Sequence, residues 1–144
     1  MKRELMLGLV CAGLAGCAMP PAGAPYGAVP YGAPPTGSLQ SARQACNDAY
    51  PPRVGNYLPH ADCVNQAVER YALPTEAHPD LVRVQESVRV TLSEKIDRGR
   101  ISVQSGERKM AEADTLIVQA KRERDSGNAA AADRSVARIE ALLQ

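Results

Sequence analysis

From residue 78 onward the apolar residues fall at helical spacing. Leu81, Val84, Val88, Leu92 and Ile96 recur at steps of three and four, which puts them on one face of an α-helix. The pattern predicts a helix over residues 79–98. Pro79 suits the first helical position, Asp80 lies in the positive first turn, and Gly99 ends the helix. A second pattern, Met110, Ala113, Ile117 and Ala120, predicts a helix over 103–125 with Ser102 as its N-cap. Arg108 with Glu112 and Lys121 with Asp125 add i,i+4 pairs on its surface. The stretch "DSGN" stops it, with Gly127 in a left-handed C-cap. Asn128 then caps a third helix carrying Ala132, Val136, Ile139 and Leu143. Short connections make consecutive helices antiparallel neighbours. Val82 and Val90 lie off the stripe of the first long helix. They are either covered by the preceding segment or open to a partner.

That preceding segment is less regular. Residues 38–50, "SLQSARQACNDAY", and 61–72, "ADCVNQAVERYA", each read as a short helix. The connection "PPRVGNYLPH" reads as a loop, broken by Pro51, Pro52, Gly55 and Pro59. The chain has no Phe and no Trp. Its core must be built from Val, Leu, Ile, Ala and Met, which favours helix packing over a β-sandwich. The expected class is therefore all-α: a small helical bundle of three longer helices plus a pair of short N-terminal helices. Residues 38–144 are enough for one small domain.

Residues 18–37 break the pattern. Half of "AMPPAGAPYGAVPYGAPPTG" is Pro or Gly and none of it is charged. Pro lacks an N–H and fixes φ, Gly is too free, and neither helix nor sheet is expected. The unit "PYGA" occurs twice, starting at Pro25 and at Pro30. Such a segment buries too little apolar surface to fold. It reads as a tether reaching about 25 Å as a coil and about 60 Å when extended. A sharper reading makes its Pro-Tyr repeats a docking motif for an aromatic groove.

The first residues give an address. Lys2 and Arg3 precede the apolar run of residues 5–14, which is too short to span a bilayer as a helix. This is the pattern of an export signal. It ends in Leu14-Ala15-Gly16-Cys17, which resembles the lipobox of bacterial lipoproteins. The alternative is an ordinary export signal with a cysteine there by chance. The resemblance implies cleavage after residue 16 and lipid attachment to Cys17. The chain would then divide into a signal peptide (1–16), a lipidated cysteine with a disordered tether (17–37) and a helical domain (38–144). Two or more acyl chains give stable anchoring. Residue 18 is Ala rather than Asp, which in the enteric form of lipoprotein sorting implies the outer membrane, with the domain in the periplasm. Cys11 would leave with the signal. Export brings the chain into an oxidising compartment, and Cys46 and Cys63 are then the only cysteines left to pair. Their disulfide would staple the two short helices.

Composition limits the function classes. Without residues 1–16 the chain has 15 basic and 15 acidic residues. That formal neutrality, with export, argues against nucleic acid and against a polybasic grip on acidic lipids. His60, Asp62, Cys63 and His78 invite a metal site, but His60 and Asp62 do not share a helical face and Cys63 is assigned to the disulfide. No metal or cofactor is therefore expected. No Ser sits in a G-x-S-x-G elbow and no glycine loop could cradle a phosphate. Paired carboxylates such as Glu94 with Asp97 read as solvated faces. The expected function is non-enzymatic: a lipid-anchored interaction or structural module binding an envelope protein or the cell wall. The alternative is a periplasmic module that binds a small ligand or a metal through the 51–62 loop. Arg53, Tyr57 and His60 are the candidate partner contacts, since a pinned loop with Tyr and Arg makes a good hot spot, and Tyr57 and His60 are the candidates for the small ligand. Braun-type lipoproteins join peptidoglycan through a C-terminal lysine. This chain ends "EALLQ", so covalent attachment by that route is not expected.

Overall fold

A computed structural model describes residues 37–144. The signal, Cys17 and all but the last residue of the tether lie outside the described residues. Within them the chain is all-α, with five α-helices and no strand. These are α1 (Leu39–Ala49), α2 (Tyr57–Tyr71), α3 (Pro79–Asp97), α4 (Val103–Asp125) and α5 (Ala129–Leu142), with a 3-10 turn at Leu73–Thr75 between α2 and α3.

Local chemistry sets most of the helix ends. Ser38 caps α1, its Oγ accepting from the Ser41 N–H at 3.2 Å while Ser41 Oγ accepts from the Ser38 N–H at 3.0 Å. This is a capping box closed by a serine where Glu or Gln is usual. Ser102 and Asn128 cap α4 and α5 by accepting from the N–H groups of Ser105 and Ala131. Gly99 (φ +66°) and Gly127 (φ +77°) follow α3 and α4 in the left-handed region that other residues avoid. The C-terminal carbonyls of α5 are met from outside. Lys95 of α3 donates to the Leu143 carbonyl and Lys109 of α4 to that of Leu142.

Consecutive helices pack on one another along the chain: α1 on α2, α2 on α3, α3 on α4, α4 on α5. There are two apolar clusters. The larger joins Leu81, Val88 and Leu92 of α3, Ala113, Leu116, Ile117 and Ala120 of α4, and Ala132 and Ile139 of α5. The smaller joins Cys46 of α1, Val64 and Val68 of α2, and Val82 of α3. α3 therefore serves both. Val82 is covered by the α1–α2 pair, and Val90 is half-buried. At the start of α4, Gly106 is buried, and a Cβ there would overlap the side chain of Ile96. The glycine lets α4 approach the end of α3 closely.

The Cys46–Cys63 disulfide is present, with Cα atoms 5.8 Å apart, inside the usual range. It closes a loop of 17 residues, worth about 3 kcal/mol in the chain-entropy model. Around the start of α3 and the end of α4 three polar pairs form a clasp. Glu76 meets Lys121 at 2.9 Å, His78 meets Asp125 at 2.8 Å, and Asp80 meets Arg124 at 2.5 Å. The Lys121 ammonium and the Arg124 guanidinium hold the Glu76 and Asp80 carboxyls below their ordinary values. Each exposed pair contributes little alone.

One group opposes folding. Glu86 of α3 is buried to 8% exposure, and its Oε1 has no hydrogen-bond partner among the described residues. Burial, reinforced by the Glu69 carboxylate, raises its pKa against the pull of Arg89 and Arg83. A carboxyl whose pKa rises on folding favours the protonated fold. Its contribution is complete below the unfolded pKa, about 4.3, and is lost as pH rises through the folded value. Glu86→Gln mimics the protonated form. Its Tm at pH 7 should exceed that of the parent by about 4 °C, and the gap should close towards pH 4. A gap independent of pH would sink this account. Replacing Cys46 and Cys63 by Ser together should lower stability by about 3 kcal/mol in denaturant unfolding.

Candidate functional site

The disulfide fixes how the end of α1 meets the start of α2. Asn47 follows Cys46 directly and Tyr50 lies one helical turn beyond it, while His60 sits one turn before Cys63 on α2. The crosslink therefore brings Asn47, Tyr50 and His60 to one end of the pair. With Pro52, Asn56 and Tyr57 they line a cleft of about 440 Å³.

Tyr57 and His60 belong to a helix and not to a loop, contrary to the sequence expectation that residues 51–60 are irregular. α2 starts at Tyr57, four residues before the expected position, and takes in Pro59. A proline in the first turn lacks only an N–H that has no intrahelical partner anyway. The first helical bond runs from the His60 N–H to the Asn56 carbonyl at 2.9 Å.

α2 has no side-chain cap of its own, since Asn56 makes none. Its Nδ2 donates instead to the Pro51 carbonyl at 2.9 Å, tying the loop to itself. The cap comes from the far end of α3. Asp97 Oδ1 accepts from the N–H groups of Gly55 at 2.6 Å and Tyr57 at 3.3 Å, and Oδ2 accepts from Leu58 N–H at 2.8 Å. A carboxylate against the amides of a helix N-terminus is favoured both by hydrogen bonding and by the helix dipole. Asp97 is thus not half of a solvated carboxylate pair with Glu94. Glu94 meets Arg98 at 2.6 Å on the surface.

His60 Nε2 lies 2.8 Å from Asn47 Oδ1, joining α2 to α1. Burial, with the nearby Arg89 guanidinium, lowers the His60 pKa below the ordinary imidazole value. The ring is then neutral at pH 7, and with a carbonyl oxygen facing it Nε2 carries the hydrogen. Arg89 of α3 itself donates to Asn65 Oδ1, while Asn65 Nδ2 donates to the Glu86 carbonyl at 3.2 Å. Burial and the Arg43 charge lower the Arg89 pKa.

Of the three candidate contacts, the fold brings Tyr57 and His60 together. Arg53 is exposed and does not line the cleft. Beside it Val54 is the most exposed large apolar side chain described, at 62%. Sequence reasoning missed Asn47, and it did not single out Tyr50 as a contact although Tyr50 opens the pinned segment that it favoured. The signal available was their register against Cys46. The potential metal ligands do not converge: His60 is bonded to Asn47, His78 to Asp125, and Cys63 to Cys46. Among the described residues no group of three His, Cys, Asp or Glu side chains is placed to hold an ion. No protein-family model, curated protein or solved structure matches the chain.

Asp97→Ala removes the carboxylate from three amides at once. It should cost about 1–2 kcal/mol and speed hydrogen exchange at Gly55, Tyr57 and Leu58 first. Unchanged exchange there would show that the cap does not hold the cleft wall.

Proposed function

We propose that the chain is a lipid-anchored protein of the bacterial cell envelope, held at the outer membrane through Cys17. Residues 1–16 are its signal peptide, 17–37 its anchor and tether, and 38–144 a periplasmic helical domain. In this reading α3, α4 and α5 form a small bundle and the stapled α1–α2 pair is the interaction end. The domain is a non-enzymatic module that captures an envelope partner, with the tether setting height and effective concentration.

The observation that carries the docking half is the cleft. It gathers Tyr50, Tyr57 and His60 at the disulfide-pinned end, next to the exposed Val54. Pre-organised aromatic surface is what makes contacts strong per residue. The anchoring half rests on the lipobox and the uncharged tether. No helix among the described residues is long and apolar enough to cross a membrane. A second reading, a binder of a small neutral ligand, is favoured by the size of the cleft, since pockets of about 300–1,000 Å³ take such ligands.

Labelling cells with radioactive palmitate should mark the native protein and leave Cys17→Ser unmarked. Cross-linking in the same cells should capture one abundant envelope protein with the native chain, and lose it both in Cys17→Ser and in Tyr57→Ala. Absence of label, with the native protein in the soluble periplasmic fraction, would overturn the anchor. Capture that survives Tyr57→Ala would overturn the cleft as the docking site.

A further inference from the structure

We propose that the stapled α1–α2 pair opens away from α3 as one unit while α3, α4 and α5 stay packed, with the Glu86 carboxyl as the latch. Protonated, it lets the pair close on α3; ionised, it loosens the contact.

The two sides of α3 differ in kind. Leu81, Val88 and Leu92 enter the larger apolar cluster. The other side carries Val82, Glu86, Arg89, Ser93 and Asp97, which recur at steps of four and three. Of these five only Val82 is apolar, and it meets Val64 and Val68 of α2 in the smaller cluster. The remaining contacts between α2 and α3 are polar. Asn65 Nδ2 donates to the Glu86 carbonyl at 3.2 Å, and Arg89 donates to Asn65 Oδ1. Arg83 meets Glu69 at 3.5 Å, and Asp97 accepts from the first amides of α2. Water can satisfy such groups after they part, so this seam opens at lower cost than the dry side of α3. α1 and α2 are joined covalently, so they leave together.

Glu86 stands in the middle of this seam, with Oε1 buried and without a hydrogen bond among the described residues. The Glu69 carboxylate faces it from α2, and Arg89 and Arg83 oppose that charge from α3 itself. Arg43 of α1 and Asp114 of α4 act on Arg89 in turn. Glu69 and Glu86 are like charges on the two helices of the seam. Ionising Glu86 therefore pushes α2 from α3, and opening brings the buried oxygen to water. Burial first, and Glu69 second, raise the Glu86 pKa in the closed form. The latch is then fully closed below the open-state value, about 4.3, and is lost as pH rises through the closed-state value. Opening also parts Asp97 from the amides of Gly55, Tyr57 and Leu58, so the latch governs the order of the cleft wall.

The test is native-state hydrogen exchange on the full chain carrying Cys17→Ser, with and without Glu86→Gln, between pH 4.5 and 7.5. The amides of Val64, Asn65 and Val68 in α2 should be less protected than those of Leu116, Ile117 and Ala120 in α4. Their exchange should also depend less on denaturant, as a smaller opening requires. Glu86→Gln should raise protection in α2 about fivefold at pH 7.5, and the gain should shrink towards pH 4.5. Comparing the two chains at each pH cancels the titration of other carboxylates, Asp97 included. Equal protection and equal denaturant dependence in α2 and α4 would overturn the separate opening. A gain confined to α4 and α5, or one independent of pH, would overturn Glu86 as the latch. Should Glu86→Gln fail to fold, Glu69→Gln decides. It should raise protection in α2 at pH 7.5 and lower the titration midpoint of the Glu86 carboxyl carbon, and an unmoved midpoint with unmoved protection would overturn the latch.

Discussion

The Cys46–Cys63 bond is the constraint on which the N-terminal half of the domain depends. α1 has 11 residues and α2 has 15, lengths at which isolated helices are marginal in water. Their shared apolar cluster has Cys46, Val64, Val68 and Val82 as buried members, with Leu39, Cys63, Ala72 and Leu73 partly buried against them. A cluster of mostly small side chains leaves a narrow margin over the cost of ordering two helices and a proline-broken loop. The crosslink acts on the other side of that balance, by removing freedom from the unfolded chain. It also fixes register. Once Sγ is joined to Sγ, the residues a turn away on each helix meet, and those residues line the cleft.

Asp97 ties this stapled pair to the rest. It stands at the C-terminal end of α3, yet its carboxylate serves the N-terminus of α2, some forty residues earlier in sequence. α3 is therefore common to everything: its Leu81–Val88–Leu92 face enters the larger cluster, Val82 enters the smaller one, and its last residue caps α2. Loosening α3 would reach the cleft wall without touching any residue that lines it. Glu86 sits on this same helix as a buried carboxyl with Oε1 left without a hydrogen bond among the described residues. Part of the stability given by the staple is thus spent on a group that prefers to be protonated.

Much of the helical organisation was legible because it is periodic and locally capped. The spacing of Leu81, Val88 and Leu92 puts them on one face, and they are buried together. Ser102, Gly127 and Asn128 are boundary residues by their chemistry, and they bound α4 and α5. The start of α2 was not legible, because its cap is Asp97, a residue supplied by tertiary structure, and because Pro59 reads as a breaker unless the first turn is already known. The same limit hid half of the cleft. Tyr57 and His60 stood out as a tyrosine and a histidine in a pinned loop. Asn47 lies near the end of a short polar helix, and the disulfide register brings it to the site together with Tyr50, which opens that loop. Arg53 was attractive as a charge in that loop, yet it turns out to be exposed beside the cleft.

The absence of Phe and Trp gives the tyrosines their meaning. Both apolar clusters are built from Leu, Ile, Val and Ala with one half-cystine, and helices of this composition pack closely through small side chains, as at Gly106 against Ile96. Such a core has no need of aromatic volume. Tyr50, Tyr57 and Tyr71 are consequently all half-buried rather than fully buried. Tyr71 carries the Arg70 guanidinium 5.7 Å from its ring centre, a surface contact of modest strength. Tyr50 and Tyr57 both line the cleft, where they are not required to fill a core. Aromatic rings left at a surface and held rigid on both sides keep most of their contact area for a ligand. The stapling bond lies next to that surface, so the crosslink that holds α1 to α2 also fixes the rings of Tyr50 and Tyr57 beside one cleft.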